Sequence, residues 1–259
     1  MDNLTHYPLL LFMAAFVGLW LGAAAGSWLR RRGPEVNEEQ TEDLGIVLGA
    51  TLTLLALIIG FSVSMASSRY EQRKGLEEAE ANAIGTELLR ADLLPSEDAA
   101  NVRRLLGAYL DQRILFFLNR DEARQTEIDQ STGQLQTDLW ASVRRSASTQ
   151  PTPITALVLA GMNDVINSQG YTQAAFWNRI PRATWWLMVA IALCSNVLFG
   201  YRSRNRKAVR TIDLVLPFVV STAFLLIADI DAPRHGLIHV IPQNLQSLAN
   251  SLGHAEVRP

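Results

Sequence analysis

The sequence predicts an all-α polytopic membrane protein: four transmembrane helices in two hairpins, with a helical soluble module between helices 2 and 3. Three observations predict it. Hydrophobic residues make up 49% of the chain and are bunched rather than spread. Four runs free of charge, Tyr7 to Leu29, Leu44 to Ser68, Ala183 to Tyr201 and Leu214 to Ala228, approach or exceed the roughly 20 residues that cross a hydrocarbon core. Between the second and third runs the chain turns polar, and its apolar residues recur at helical spacing.

The first run reads as a retained helix, not a cleaved signal. No Lys or Arg precedes it, it is too long for a signal core, and Arg30, Arg31 and Arg32 follow it. Gly18, Gly22 and Gly26 repeat every fourth residue along it, and Gly45 and Gly49 repeat that spacing at the start of the second membrane helix. Such small residues let helix backbones approach closely, either between the first two helices of one chain or between subunits. The second run is apolar through Leu54, Leu55, Leu57, Ile58, Ile59 and Phe61, then hydroxylated at Ser62, Ser64, Ser67 and Ser68. Leu54, Ile58, Phe61 and Met65 fall on one face. That face is a candidate apolar pore neck, which gates by dewetting, although lipid or core contact gives the same stripe.

No turn signal separates this helix from the polar region, so one long helix is expected to leave the membrane. Leu76, Ile84, Leu88, Ala91 and Leu94 mark its apolar side, and Ala79, Asn82, Ala83 and Thr86 a small-residue side suited to close packing. Pro95 ends it. Ser96 is expected to cap the next helix, with Asp98 at the positive end. That helix runs through Leu105, Tyr109, Ile114 and Leu118. Another is expected over 122–146, and a last one over 154–179 after Pro151 and Pro153. The third membrane helix holds the single cysteine, Cys194, so the chain can form no internal disulfide. The fourth is short, extended by Ile212, and carries Pro217, which membrane helices tolerate. The expected division is residues 1–65 for the first hairpin, 66–181 for the module, 182–228 for the second hairpin and 229–259 for a tail.

A net charge of −2 leaves no basic surplus for phosphates, so nucleic acid is not an expected partner. The bilayer is. No Asp, Glu, Lys or Arg lies at mid-membrane depth, which argues against a proton-coupled transporter. No G-x-S-x-G, Walker-type or G-x-G-x-x-G pattern occurs, so neither an enzyme nor a cofactor is expected. His235 and His239 have helical spacing but sit between Pro233 and Pro242 and lack further ligands, so no metal site is expected. Asp229, Asp231 and Arg234 cluster at the exit of the last membrane helix. They read as an ion pair or a cap.

Arg30, Arg31, Arg32, Arg202, Arg204, Arg206, Lys207 and Arg210 lie in the two short hairpin loops. Arg69, Arg73, Lys74, Arg179, Arg182 and Arg234 lie at the opposite ends. By the positive-inside rule this excess leans toward cytoplasmic hairpin loops.

Three stretches, GFSVSMASSRYEQRK (60–74), EANAIGTELLRADLLP (80–95) and DIDAPRHGLIHVIPQNL (229–245), resemble segments of the bestrophin-like family of bacterial membrane proteins. The resemblance runs from about Leu44 to Leu252. It implies an inner-membrane location and similarity to bestrophins, which are pentameric anion channels. Their second membrane helix lines the pore with an apolar neck, and their helical module is cytosolic. By that likeness Ile58 and Phe61 fall near a neck, and Arg69, Arg73 and Lys74 at a pore mouth that attracts anions. The expected function is therefore an oligomeric channel, pentameric by resemblance. The alternative is a non-conducting membrane scaffold or sensor whose helical module binds a partner.

Overall fold

The computed structural model describes residues 7–33, 37–202, 212–234 and 236–253. They form helices α1 (Pro8–Arg32), α2 (Glu38–Ala91), α3 (Ser96–Leu118), α4 (Glu122–Thr149), α5 (Pro153–Trp177), α6 (Arg182–Arg202), α7 (Ile212–Asp231) and α8 (Gln243–Ser251), with no strand among them. The protein is all-α. Four stretches of helix are long and apolar enough to cross a membrane, within Pro8–Arg32, Glu38–Ala91, Pro153–Arg202 and Asp213–Asp231. Arg204, Arg206, Lys207, Arg210 and His235 lie outside the described residues.

The chain divides into two compact units, 1–69 with 179–238, and 70–178 with 239–259. The segment expected as a separate tail, 229–259, is shared between them. In the first unit α1 packs on α6 and α7. Its core gathers Leu11, Leu19, Leu55, Ala66, Trp185, Met188, Ala192, Val220, Phe224 and Ile227.

α1 and α6 approach each other closely. A Cβ at Gly26 would overlap the Val197 carbonyl, and one at Gly200 would overlap the backbone of Ala23. Ser27 Oγ spans the same contact to the Gly200 carbonyl at 3.1 Å. Gly22 also faces α6, with Leu193 and Val197 at 3.7 Å. The glycine stripe thus brings α1 onto α6. The expected partner within the chain was the second membrane helix. Gly18 and Gly49 have open space at their Cβ positions, and Gly45 lies under the Arg202 guanidinium.

α2 extends the second membrane helix without a break into the second unit, as its sequence demands. It starts six residues before the apolar run, at Glu38 and Glu39, whose charges suit the positive helix end. Two local expectations differ. The N-cap of α3 is Pro95, not Ser96, and no side chain caps it. The amide of Ala99 already bonds the Pro95 carbonyl at 2.8 Å, so the helical ladder begins one residue early and draws Ser96 into the first turn. The α5 start is held instead by a capping box in which Thr152 and Thr155 exchange side-chain and backbone bonds. The short α8 was not foreseen.

In the second unit α3 packs on α4 and α8, and α4 on α5. Ile84, Leu88, Leu106, Tyr109, Leu110, Ile114, Leu139, Val143, Val158, Met162 and Leu245 fill its core. Phe116, Phe117 and Phe176 add an aromatic cluster with centroids 4.8–5.5 Å apart.

Candidate pore face and buried charges of α2

The membrane part of α2 has two faces. Leu55, Ser62 and Ala66 are buried. Ser62 Oγ donates to the Ile58 carbonyl at 2.8 Å and also reaches the Met188 sulfur, which satisfies its hydroxyl without water. On the other face Leu54, Leu57, Phe61 and Met65 are exposed, Phe61 by 64%. Ile58 sits at the edge, half-buried against the first core. Of the four candidate neck residues, three therefore project from the chain and one helps to hold the helix.

The candidate mouth residues separate similarly. Lys74 is exposed and Arg69 half-buried. Arg69 reaches back to the Met65 sulfur at 3.7 Å. Arg73 is only 1% exposed, so it belongs to the interior of the chain and not to an open mouth.

Arg73 begins a feature that the sequence did not disclose. Arg73, Glu77, Glu80 and Glu87 all lie on the buried face of α2. Their spacings of four, three and seven keep one side of a helix, the side that Ile84, Leu88 and Ala91 complete with apolar groups. Glu77 accepts from the Asn244 and Leu245 amides at 2.9 Å and from the Asn244 side chain at 2.6 Å. Its carboxylate thus caps the N-terminus of α8, where orphan amides and the helix dipole favour an anion.

Glu80 forms a fully buried ion pair with Arg113 of α3 and accepts from Thr172 Oγ1 of α5 at 2.9 Å. Arg113 stacks over Phe116, its guanidinium carbon 4.3 Å from the ring centre. Burial, reinforced by Glu80, pushes the neighbouring Tyr109 phenol well above its usual range. Glu87 differs from the other two. Its carboxylate is fully buried, and neither oxygen has a hydrogen-bond partner among the described residues.

Of the small-residue side expected to pack closely, Ala79, Asn82 and Thr86 are exposed, while Ala83 is half-buried against the second core. Asn82 and Thr86 border a cleft of about 540 Å³ that Gly85, Leu89, Arg103, Asn244, Leu248 and Leu252 help to line.

At the end of α7 the carboxylates are anchors. Asp229 accepts from the amides of Leu237 and Ile238 at 2.7 and 2.9 Å. Asp231 accepts from the Ile180 amide at 3.2 Å, tying the approach to α6 to the end of α7. Gly236 is required at this turn because any Cβ there would overlap the Asp229 carbonyl. Arg234 is half-buried. No group of three or more potential metal-ligating His, Cys, Asp or Glu occurs among the described residues.

A comparison with protein families matches residues 4–245 to the Bestrophin-like domain. The chain belongs to the Bestrophin-like family. Solved structures agree on the fold. A bacterial bestrophin homologue from Klebsiella pneumoniae is 14% identical, covers 95% of this chain and 99% of its own, and superposes with a TM-score of 0.61. A point variant of that homologue is 12% identical, covers 97% and 98%, and superposes at 0.62. At such identities the likeness is one of fold. No curated protein matches the chain. This bestrophin-like chain is thus a membrane protein with a bestrophin-type fold.

Proposed function

We propose that this bestrophin-like protein is a homo-oligomeric, passive ion channel of the bacterial inner membrane, selective for anions, with α2 lining the pore. The observation that carries the proposal is the two-faced membrane part of α2. One face is packed by its own chain. The other presents Leu54, Leu57, Phe61 and Met65, with Ile58 at its edge. Arranged around an axis, one such helix from each subunit forms a narrow apolar ring, a barrier to ions that widens or wets to conduct. Lys74 and Arg69 stand beyond the ring and raise the local concentration of anions.

The test is chloride and potassium flux from liposomes that hold the purified protein, beside Phe61→Ala. Removing the most exposed ring of the neck should raise chloride flux several-fold and leave the oligomer intact. Equal flux across neck variants would sink the pore assignment. No flux from any of them would favour a non-conducting scaffold, whose partner site would be the cleft beside Asn82 and Thr86.

A further inference from the structure

We propose that Glu87 is a proton-binding site of the second unit, a buried latch that holds α2 on α5 while protonated and loosens it on ionisation. The geometry is specific. The Glu87 side chain is fully buried, and neither carboxylate oxygen meets a hydrogen-bond donor among the described residues. It is seated against Gly161 of α5, where any Cβ would collide with the carboxylate and with Arg90. The glycine makes the room that the carboxyl occupies. The part-exposed Arg90 guanidinium nearby offsets only part of the cost of burying a charge here, so the neutral carboxyl is favoured in this place.

The charged groups that act on it are few. Arg90, on the next turn of α2, places Nη1 3.8 Å from Oε2, too far for a hydrogen bond. Asp164, one turn beyond Gly161 on α5, opposes ionisation. Arg103 of α3 is engaged at 2.9 Å by Asp92. Burial dominates. It raises the pKa to about 8, with Arg90 lowering and Asp164 raising it.

The sign follows from proton linkage. When the contact opens, Glu87 meets water and ionises near its usual value of 4.5; when closed, it keeps its proton to about pH 8. Between these limits the open form binds fewer protons, so opening becomes easier as pH rises. Below pH 4.5 and above pH 8 this contribution is flat. Acid therefore tightens α2 on α5. The latch is independent of whether the protein conducts.

The experiment is hydrogen exchange on the full-length protein in nanodiscs from pH 5 to 9, corrected for intrinsic exchange. The readout is the opening of amides in α2 around Glu87 and in α5 around Gly161. In the wild type, opening should rise by up to about tenfold per pH unit within the window. Glu87→Gln should remove that rise. Arg90→Gln, by raising the pKa, should extend the rise to higher pH, and Asp164→Asn should end it earlier. A Glu87→Gln profile that follows the wild type would overturn the proposal. If that variant does not fold, the two neighbouring variants read the same site, and failure of both to displace the end of the rise would overturn it equally.

Discussion

At the scale of single residues, the second unit is organised by carboxylates that α2 carries inward. Glu80 shows what such a group needs. Its charge is met by Arg113, its second oxygen by Thr172, and the Arg113 plane is covered by Phe116. A buried pair of this kind gives modest net stability, because both ions lost their water. Breaking it is another matter. Arg113→Met should cost about 3–5 kcal/mol, since it strands the Glu80 charge in the core. Adding Glu80→Leu to that variant should recover most of the loss. Thermal unfolding of the two variants beside the wild type measures both. A double variant no better than the single one would mean that Arg113 acts through shape, not charge.

At the scale of elements, legibility followed the range of the contact. The unbroken α2 was readable because its continuity depends on local facts, chiefly the absence of Pro through the membrane exit. The turns at Pro95 and Pro151 were readable for the same reason. Glu77, Glu80 and Glu87 were not, because glutamates on a polar helix look like a solvated face. What buries them comes from far away: Asn244 for Glu77, Arg113 and Thr172 for Glu80, Gly161 for Glu87. The α8 helix was missed because its nine residues carry no apolar run and its start is capped by Glu77 and not by a neighbour.

The glycine stripe was legible as packing but not as to partner. Its spacing says that something comes close and does not name it. A graded prediction follows. Gly26→Ala and Gly200→Ala should each force α1 off α6 and lower the yield of folded protein, at a cost of about 1–3 kcal/mol or more. Gly18→Ala and Gly49→Ala should be tolerated, because their Cβ positions are open within the chain. Size-exclusion profiles of the four variants in detergent decide it. Loss of the assembly in Gly18→Ala or Gly49→Ala, with the chain still folded, would assign those two glycines to contacts between subunits.

At the scale of the whole molecule, the decisive fact is what one chain leaves uncovered. Four-span architecture, the helical insertion and the family could all be read from hydropathy and from three short stretches of sequence. The candidate neck was legible only as a stripe, since a lipid-facing helix carries the same apolar residues. Within the chain, Phe61 and Leu57 are largely exposed, while Leu55 and Ser62 on the neighbouring face are buried. A single α2 cannot enclose a pore, so the channel proposal stands or falls with assembly. Native mass spectrometry of the protein released from nanodiscs should show a single closed oligomer of 28.7 kDa chains, with five as the expected number. Phe61→Ala should leave that number unchanged, because in the proposed channel the neck faces the axis and not a subunit contact. A monomer would end the channel reading outright, since Leu54, Phe61 and Met65 would then face only lipid. An oligomer that dissociates on Phe61→Ala would place this residue between subunits and move the pore to another face.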